Sequence, residues 1–415
     1  MRILAVVHHF PPDVNSTGML MAQLFESLAR RGDDIHVLTT FPHYEGFRTW
    51  PEYRGKLYSH ERDGGVEVTR LYSYTGGTKT MGKRLVNYVS FNAMATIAGI
   101  ASRRPADIVF CTNGSFFSGL TGLAHGLTKR APLVLNLQDL YPDVPVRQGQ
   151  LTSRAAITAL EGIGDVMYRR ATHLTVIADA FRARLLDRGV PAAKISVVPN
   201  FVDTEFIKPL PKDNSFSREH GVHDRFVIMH AGNLGYVYDL ETLLDVAARL
   251  RPNEEIVFLI VGDGVARPRL EAKARGLDLD NVRFLPFQPR DRLPLLRASS
   301  DVQVSLYKPG ASGDSMPSKI YETMASGRAL LSSADRDSDV WDLVAETGCG
   351  VCVEPGNVDQ LFEAVMRIYQ DPALRVEMGR RGRRHAERDY SREVIVDRYC
   401  ELFEGLVARS KPALL

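Results

Sequence analysis

Along the chain, apolar runs of four to six residues alternate with stretches in which apolar residues return every third or fourth position. The runs read as strands buried on both faces, and the intervening stretches as helices with one apolar side. Strands are expected at 3–8, 35–39, 107–111, 133–137, 174–177 and 195–198, with helices at about 19–29, 83–102, 115–129, 153–170 and 179–188. After Pro209 and Pro211 the alternation restarts, with strands at 226–230, 256–261, 282–285, 302–306, 329–332 and 350–353 and helices at 240–250, 266–274 and 291–298. Strand–helix alternation of this kind predicts α/β architecture with two Rossmann-like, doubly wound domains, 1–200 and 201–389. The connector is expected at 199–214, with a cleft between the carboxyl edges of the two sheets. A last helix, about 390–412, has no strand after it and is expected to pack back on the first domain. Residues 40–82, rich in glycine and aromatics, are expected to form loops and short strands over the edge of the first sheet, where binding residues commonly sit.

A chain of 415 residues, 44% hydrophobic and 25% charged, is long enough for two separate cores. Residues 1–200 hold 23 Lys+Arg against 16 Asp+Glu, or +7, and the remainder 29 against 34, or −5, so the first half is the one expected to face an anionic partner. Four scattered cysteines do not make a disulfide framework and fit a reducing cytoplasm. Cys349 and Cys352 have redox or zinc spacing without a second pair, and read as structural. Met1-Arg2 leads straight into an apolar run, so no secretory signal is expected, and no run reaches the length of a membrane span. Residues 85–101, flanked by basic pairs, read as a helix packed on a sheet in preference to an interfacial membrane helix. The basic run 380–384 reads as a solvated face, and nothing points to nucleic acid. His8-His9 ends the first strand, where a metal would need further ligands.

The chemistry concentrates in GASGDSMPSKIYETMASG, residues 310–327. Pro317 suits a first helical turn, which leaves Asp314 in the loop and sets Lys319 and Glu322 on one helix face. The unpaired N–H groups of Met316, Ser318 and Lys319, on either side of Pro317, would make an anion site at the helix mouth, flanked by one cation and two carboxylates. Lysine neutralises phosphate, and carboxylates accept from sugar hydroxyls. No GxGxxG is present, so a dinucleotide fold is not supported. Gly18, at the mouth of the first helix, is a place where backbone could approach a ligand.

Taken in order, the motifs resemble those of the GT-B-fold, family-4 retaining glycosyltransferases: Pro199-Asn200-Phe201-Val202-Asp203, Ala231-Gly232-Asn233-Leu234, Val261-Gly262-Asp263-Gly264, Asn281-Val282-Arg283-Phe284-Leu285, Pro317-Ser318-Lys319 with Glu322, and Ala325-Ser326-Gly327. Pro11-Pro12-Asp13 and Asp139-Leu140-Tyr141-Pro142 are most similar to bacterial enzymes of surface polysaccharide assembly that transfer an amino-deoxy sugar. The resemblance implies that Glu322 holds the ribose of a nucleotide sugar, that Asp314 stands where the family's first acid meets the donor sugar, and that Gly18, Gly232, Asn233, Phe287, Met316, Pro317 and Ser318 line the donor. The family's Arg and Lys for the diphosphate fall on Asn233 and Tyr238, so Lys319 and the helix mouth are expected to take over that charge. Gln138 stands where the family often has histidine, with Asp139 on the acceptor side. The expected activity is retaining transfer from a nucleotide diphosphate sugar, UDP-linked HexNAc or deoxy-amino sugar, to a hydroxyl of a lipid-linked saccharide at the cytoplasmic face of the membrane. No cofactor or divalent metal is expected. A non-catalytic GT-B partner subunit and a nucleotide-sugar epimerase of the same fold are the alternatives.

Overall fold

The structure is a computed structural model, and it describes residues 1–13, 15–78, 80–141, 146, 151–314 and 316–410. It divides into two compact units, Met1–Pro199 with the chain from Ile395 onward, and Asn200–Val394.

In the first unit the apolar runs become β1 (Arg2–Val6), β2 (Asp34–Thr40), β5 (Ile108–Thr112), β6 (Leu133–Leu137), β7 (His173–Val176) and β8 (Ile195–Val197), joined by β3 (Tyr58–Asp63) and β4 (Val66–Leu71). The sheet order is β3-β4-β2-β1-β5-β6-β7-β8. Every described pairing is parallel except β3 with β4, which form an antiparallel hairpin at the edge. The stretch 40–82 therefore contributes two full strands. Val66, Val68 and Leu71 are buried on its inner strand, whereas β3 is largely exposed, as an edge strand can be.

The helix Met81–Ala101 does pack on the sheet, and it does so in an unusual sense. Its buried side carries Asn87, Phe91, Asn92, Ala95 and Gly99, while Leu85, Val86, Val89, Ile97 and Ile100 are exposed. The two asparagines are satisfied inside: Asn87 by His8 and the Tyr74 carbonyl, Asn92 by Ser115 and Thr121.

The final helix, Arg392–Ser410, returns to the first unit. Tyr399 and Phe403 sit edge-on to Phe110 at 5.8 and 6.0 Å, Asn136 donates to Tyr399 Oη at 3.0 Å, and Arg31 pairs with Asp397.

The second unit holds β9 (Phe226–Ala231), β10 (Ile256–Val261), β11 (Val282–Leu285), β12 (Val302–Leu306), β13 (Ala329–Ser333) and β14 (Gly350–Val353), ordered β11-β10-β9-β12-β13-β14 and all parallel. Helices Leu240–Leu250 and Val358–Gln370 cover one face, over a core that includes Leu243, Leu244, Phe258, Val304, Leu361 and Ile368. Residues 200–214 are part of this unit and not a loose connector: Phe201 and Ile207 are buried, Asp203 pairs with Arg392, and Val202 bridges Ser391.

In each sheet the order reverses next to one strand, beside β1 in the first and beside β9 in the second. Loops leaving the carboxyl ends on either side of such a switch diverge and leave room for a ligand. In the second unit those are the loops after β9 and after β12.

Candidate functional site

The loop after β12 runs from Tyr307 to Pro317 and feeds the helix Ser318–Ala325. The helix begins one residue later than the sequence suggests. Pro317, with ψ 136°, is its extended N-cap, and the Ile320 N–H already bonds the Pro317 carbonyl at 3.1 Å. Asp314 ends a short 3-10 turn, Ser312–Asp314, and its side chain lies outside the described residues. That turn is pinned by Asp335, which accepts from the Gly310 N–H (3.0 Å), the Ser312 N–H (3.3 Å) and Ser312 Oγ (2.6 Å). Met316 is buried just before the helix, and Pro317 and Ser318 are half-buried at its mouth.

Lys319 is the centre of the site. Its Nζ is buried, has no hydrogen-bond partner among the described residues, and sits 3.4 Å from the centroid of the Tyr238 ring. A cation over a desolvated aromatic face gains about 2 kcal/mol, which does not replace its lost hydration. Burial, with the nearby Arg297 charge, therefore pulls the amine well below its ordinary range, and Glu322 opposes this only in part. Tyr238 is thus the platform for Lys319. Burial raises its own phenol to about 12.

Glu322 is three positions further on the same helix and keeps a partly exposed side chain. One of its oxygens accepts from Arg297, which is 5% exposed and also donates to Gln303 Oε1 at 2.7 Å. Gln303 in turn accepts from Thr323 Oγ1 (3.0 Å) and donates to Ser326 Oγ (3.2 Å). This network holds the carboxylate in one rotamer, with lone pairs left for hydroxyl donors. The far end of the helix is fixed by Arg383, which donates to the carbonyls of Ala325 (2.9 Å), Thr204 (3.0 Å) and Ile207 (2.9 Å). Its neighbours Arg380, Arg381 and Arg384 pair with Glu377.

The loop after β9 holds Gly232 and Asn233. Gly232 has positive φ (143°) and open space where a Cβ would stand, and Asn233 is exposed. Gly262 allows the loop after β10 to approach, since a Cβ there would lie 1.9 Å from the Gly232 carbonyl oxygen. Phe287, 59% exposed, follows β11.

The first-unit candidates are differently placed. Gly18 does not open toward a ligand: a Cβ there would lie 2.5 Å from the His9 carbonyl oxygen, so the glycine lets its helix close on the β1 loop. Asp139 is half-buried after β6, and its carbonyl accepts from Asn113. Gln138 is tied to Asn136 at 2.8 Å. Pro142 lies outside the described residues. Cys349 and Cys352 are free thiols, raised by burial to about 11 and about 12, as suits structural positions. No helix among the described residues is long and apolar enough to cross a membrane.

The sequence reading passed over Arg297 and Asp335, of which only Arg297 carried a signal, as a lone cation within the short, otherwise apolar helix Leu293–Ala298. It set Arg383 with its neighbours on a solvated face, whereas the Arg383 guanidinium turns inward to three carbonyls.

Residues 17–200 match the model of a glycosyl transferase 4-like domain, and residues 212–385 that of glycosyl transferases group 1. The chain is 26% identical over 423 residues to the "Putative colanic acid biosynthesis glycosyl transferase WcaI" of Escherichia coli (strain K12), covering 98% of this chain and 100% of that one. Among solved structures it resembles sucrose-phosphate synthase (tll1590) from Thermosynechococcus elongatus, with TM-score 0.78 and 18% identity over 98% of this chain and 99% of that one. It also resembles Anabaena Alr3699/HepE in complex with UDP-glucose, with TM-score 0.73 and 16% identity over 98% and 100%. With these neighbours the two parallel-sheet units are those of the GT-B fold, and the chain belongs to the glycosyl transferases, a 4-like domain followed by a group 1 domain.

Proposed function

We propose that the protein is a retaining glycosyltransferase that moves an N-acetylhexosaminyl or deoxy-amino sugar from a UDP-linked donor to a hydroxyl of a lipid-linked saccharide in cell-surface polysaccharide assembly. The observation that carries this reading is the buried amine of Lys319, without a hydrogen-bond partner among the described residues, at the mouth of the helix Ser318–Ala325, three residues from a carboxylate locked by Arg297. A buried amine without a hydrogen-bond partner suits an anion, whose charge would return the proton to it, and the first N–H groups of the helix add to the attraction. A leaving diphosphate gains charge as the glycosidic bond breaks, and a fixed cation in a dry setting stabilises that charge with little reorganisation. Because a lysine is already at this position, the donor chemistry is proposed to need no divalent ion. Glu322 would hold the ribose hydroxyls, Asp314 the donor sugar, and Gly232, Asn233 and Phe287 the rest of the nucleotide. Asp139 is proposed on the acceptor side.

The named role of WcaI supports a surface polysaccharide, and the UDP-glucose held by Alr3699/HepE supports a UDP-linked donor. The exposed apolar stripe of Met81–Ala101, with Ile97 64% exposed and Lys83, Arg84, Arg103 and Arg104 at its two ends, supports peripheral attachment to the inner face of the membrane. Incubation with radiolabelled UDP-N-acetylhexosamine and membrane extract is expected to move label into the lipid fraction. The double variant Val89→Glu, Ile97→Glu is expected to lose sedimentation with anionic vesicles and to transfer more slowly to membrane-borne acceptor. Label recovered as an isomerised nucleotide sugar would favour the epimerase, and no label transfer with any UDP-sugar would favour a non-catalytic partner.

A further inference from the structure

A cluster of imidazoles in the first unit is not used by the donor chemistry. His8 and His9 follow β1, and His43 follows β2, the parallel neighbour of β1 in the register Val6↔Leu38. Adjacent parallel strands that end at one edge thus bring together residues 34 and 35 positions apart. One ring nitrogen from each of the three lies within 4.8 Å of one from each of the others.

The surroundings are those of oriented ligands. His8 Nε2 is 2.9 Å from Asn87 Oδ1, and Asn87 Nδ2 donates to the Tyr74 carbonyl at 2.7 Å, which sets the amide so that Nε2–H donates to it. His8 Nδ1 is buried and finds no hydrogen-bond partner. His9 Nδ1 lies 2.8 Å from a carboxylate oxygen of Asp13, and His43 Nδ1 lies 2.8 Å from the Phe41 carbonyl. Asp13 is itself buried and accepts from the backbone N–H groups of His43 (3.2 Å) and Tyr44 (2.8 Å), so one carboxylate ties the β1 loop to the His43 segment. Carboxylate, amide and carbonyl acceptors behind imidazoles are the usual outer partners of metal-bound histidines. Each ring has one N–H committed to such an acceptor; the lone pair on His8 Nδ1 meets no hydrogen-bond donor, while that on His43 Nε2 accepts from Asn87 Nδ2 at 3.3 Å, a bond the ion would replace.

We propose that His8, His9 and His43 bind a transition-metal ion of the zinc class, with the fourth position left to water or another oxygen donor. Three imidazoles with an open position suit zinc in preference to the oxygen-seeking magnesium or calcium. Bonds of about 2.0–2.1 Å place tetrahedral donors roughly 3.3 Å apart, so small ring rotations bring the three nitrogens together on binding. His9 is partly exposed and gives the ion its way in, while His8 and His43 are buried.

The test is calorimetric titration of ZnCl₂ into the full chain after chelator treatment, with melting curves to establish that each variant is folded. One zinc per chain is expected, with affinity reduced at least tenfold in His9→Ala and in His43→Gln. Substitution of the exposed His223, His223→Ala, should change nothing. Cobalt(II) added to the unsubstituted chain should give the visible absorption of a four-coordinate ion, a readout that does not depend on any variant folding. No cobalt band, or zinc binding that persists unchanged in His9→Ala or is lost in His223→Ala, would overturn the proposal.

Discussion

Lys319→Met is expected to abolish sugar transfer, with a loss of at least about a thousandfold in kcat/KM, and at the same time to make the protein more stable. The two effects share one cause. In the free protein the Lys319 amine is buried against Tyr238 without a hydrogen-bond partner, and burial with Arg297 depresses its proton affinity. A lysine whose pKa is lower folded than unfolded binds fewer protons in the native state, so its contribution to stability rises with pH between the folded value and the ordinary amine value. At neutral pH it is a cost. Methionine fills much the same space without a charge to desolvate, so the variant should melt about 2–4 °C higher for each kcal/mol recovered. Calorimetry and the transfer assay together check this, because a lysine that only packs would leave activity intact when replaced. The combination of lost activity and gained stability is what a group strained for function predicts.

The second large effect concerns Glu322 and Arg297. Arg297→Ala and Glu322→Ala are each expected to reduce kcat/KM about ten- to a hundredfold, and the double variant is expected to be little worse than either single one. The reason lies in the bond between them: without Arg297 the carboxylate is free to turn away, and without Glu322 the buried guanidinium keeps only Gln303. Loss of a charge-assisted hydrogen bond of this kind costs about 1.5–3 kcal/mol, consistent with one to two decades in rate constant. Arg297→Ala should also melt lower than Glu322→Ala, since it removes a buried side chain that Gln303 and Glu322 are both arranged around. Fully additive losses in the double variant would mean that the two residues act separately.

The fold was legible wherever a strand is a contiguous apolar run. β5, β6, β9, β10 and β12 are buried at every position, and such runs declare themselves. The hairpin β3–β4 was less legible because its outer strand is polar and mostly exposed. The helix Met81–Ala101 was misleading for a clearer reason: apolar periodicity points to the side that is exposed, whereas the buried side is held by asparagines whose partners lie elsewhere in the chain. Lys319 and Glu322 could be read from their spacing on one helix. Arg297, Asp335 and Arg383 could not, because each meets its target 23 or more positions away. Tyr238 looked like the loss of a family lysine, and only the fold shows that it supports another one. The pair His8-His9 stood alone in sequence, and strand register brings His43 beside it.

The direct test of the Lys319 account is to titrate UDP into the protein by calorimetry in two buffers of different ionisation enthalpy at about pH 8.5, where a phosphate is fully ionised. Diphosphate beside the buried amine should restore its charge, so binding should take up as much as one proton per UDP, and Lys319→Met should bind more weakly and take up none. Equal affinity and equal proton count in the two proteins would contradict it.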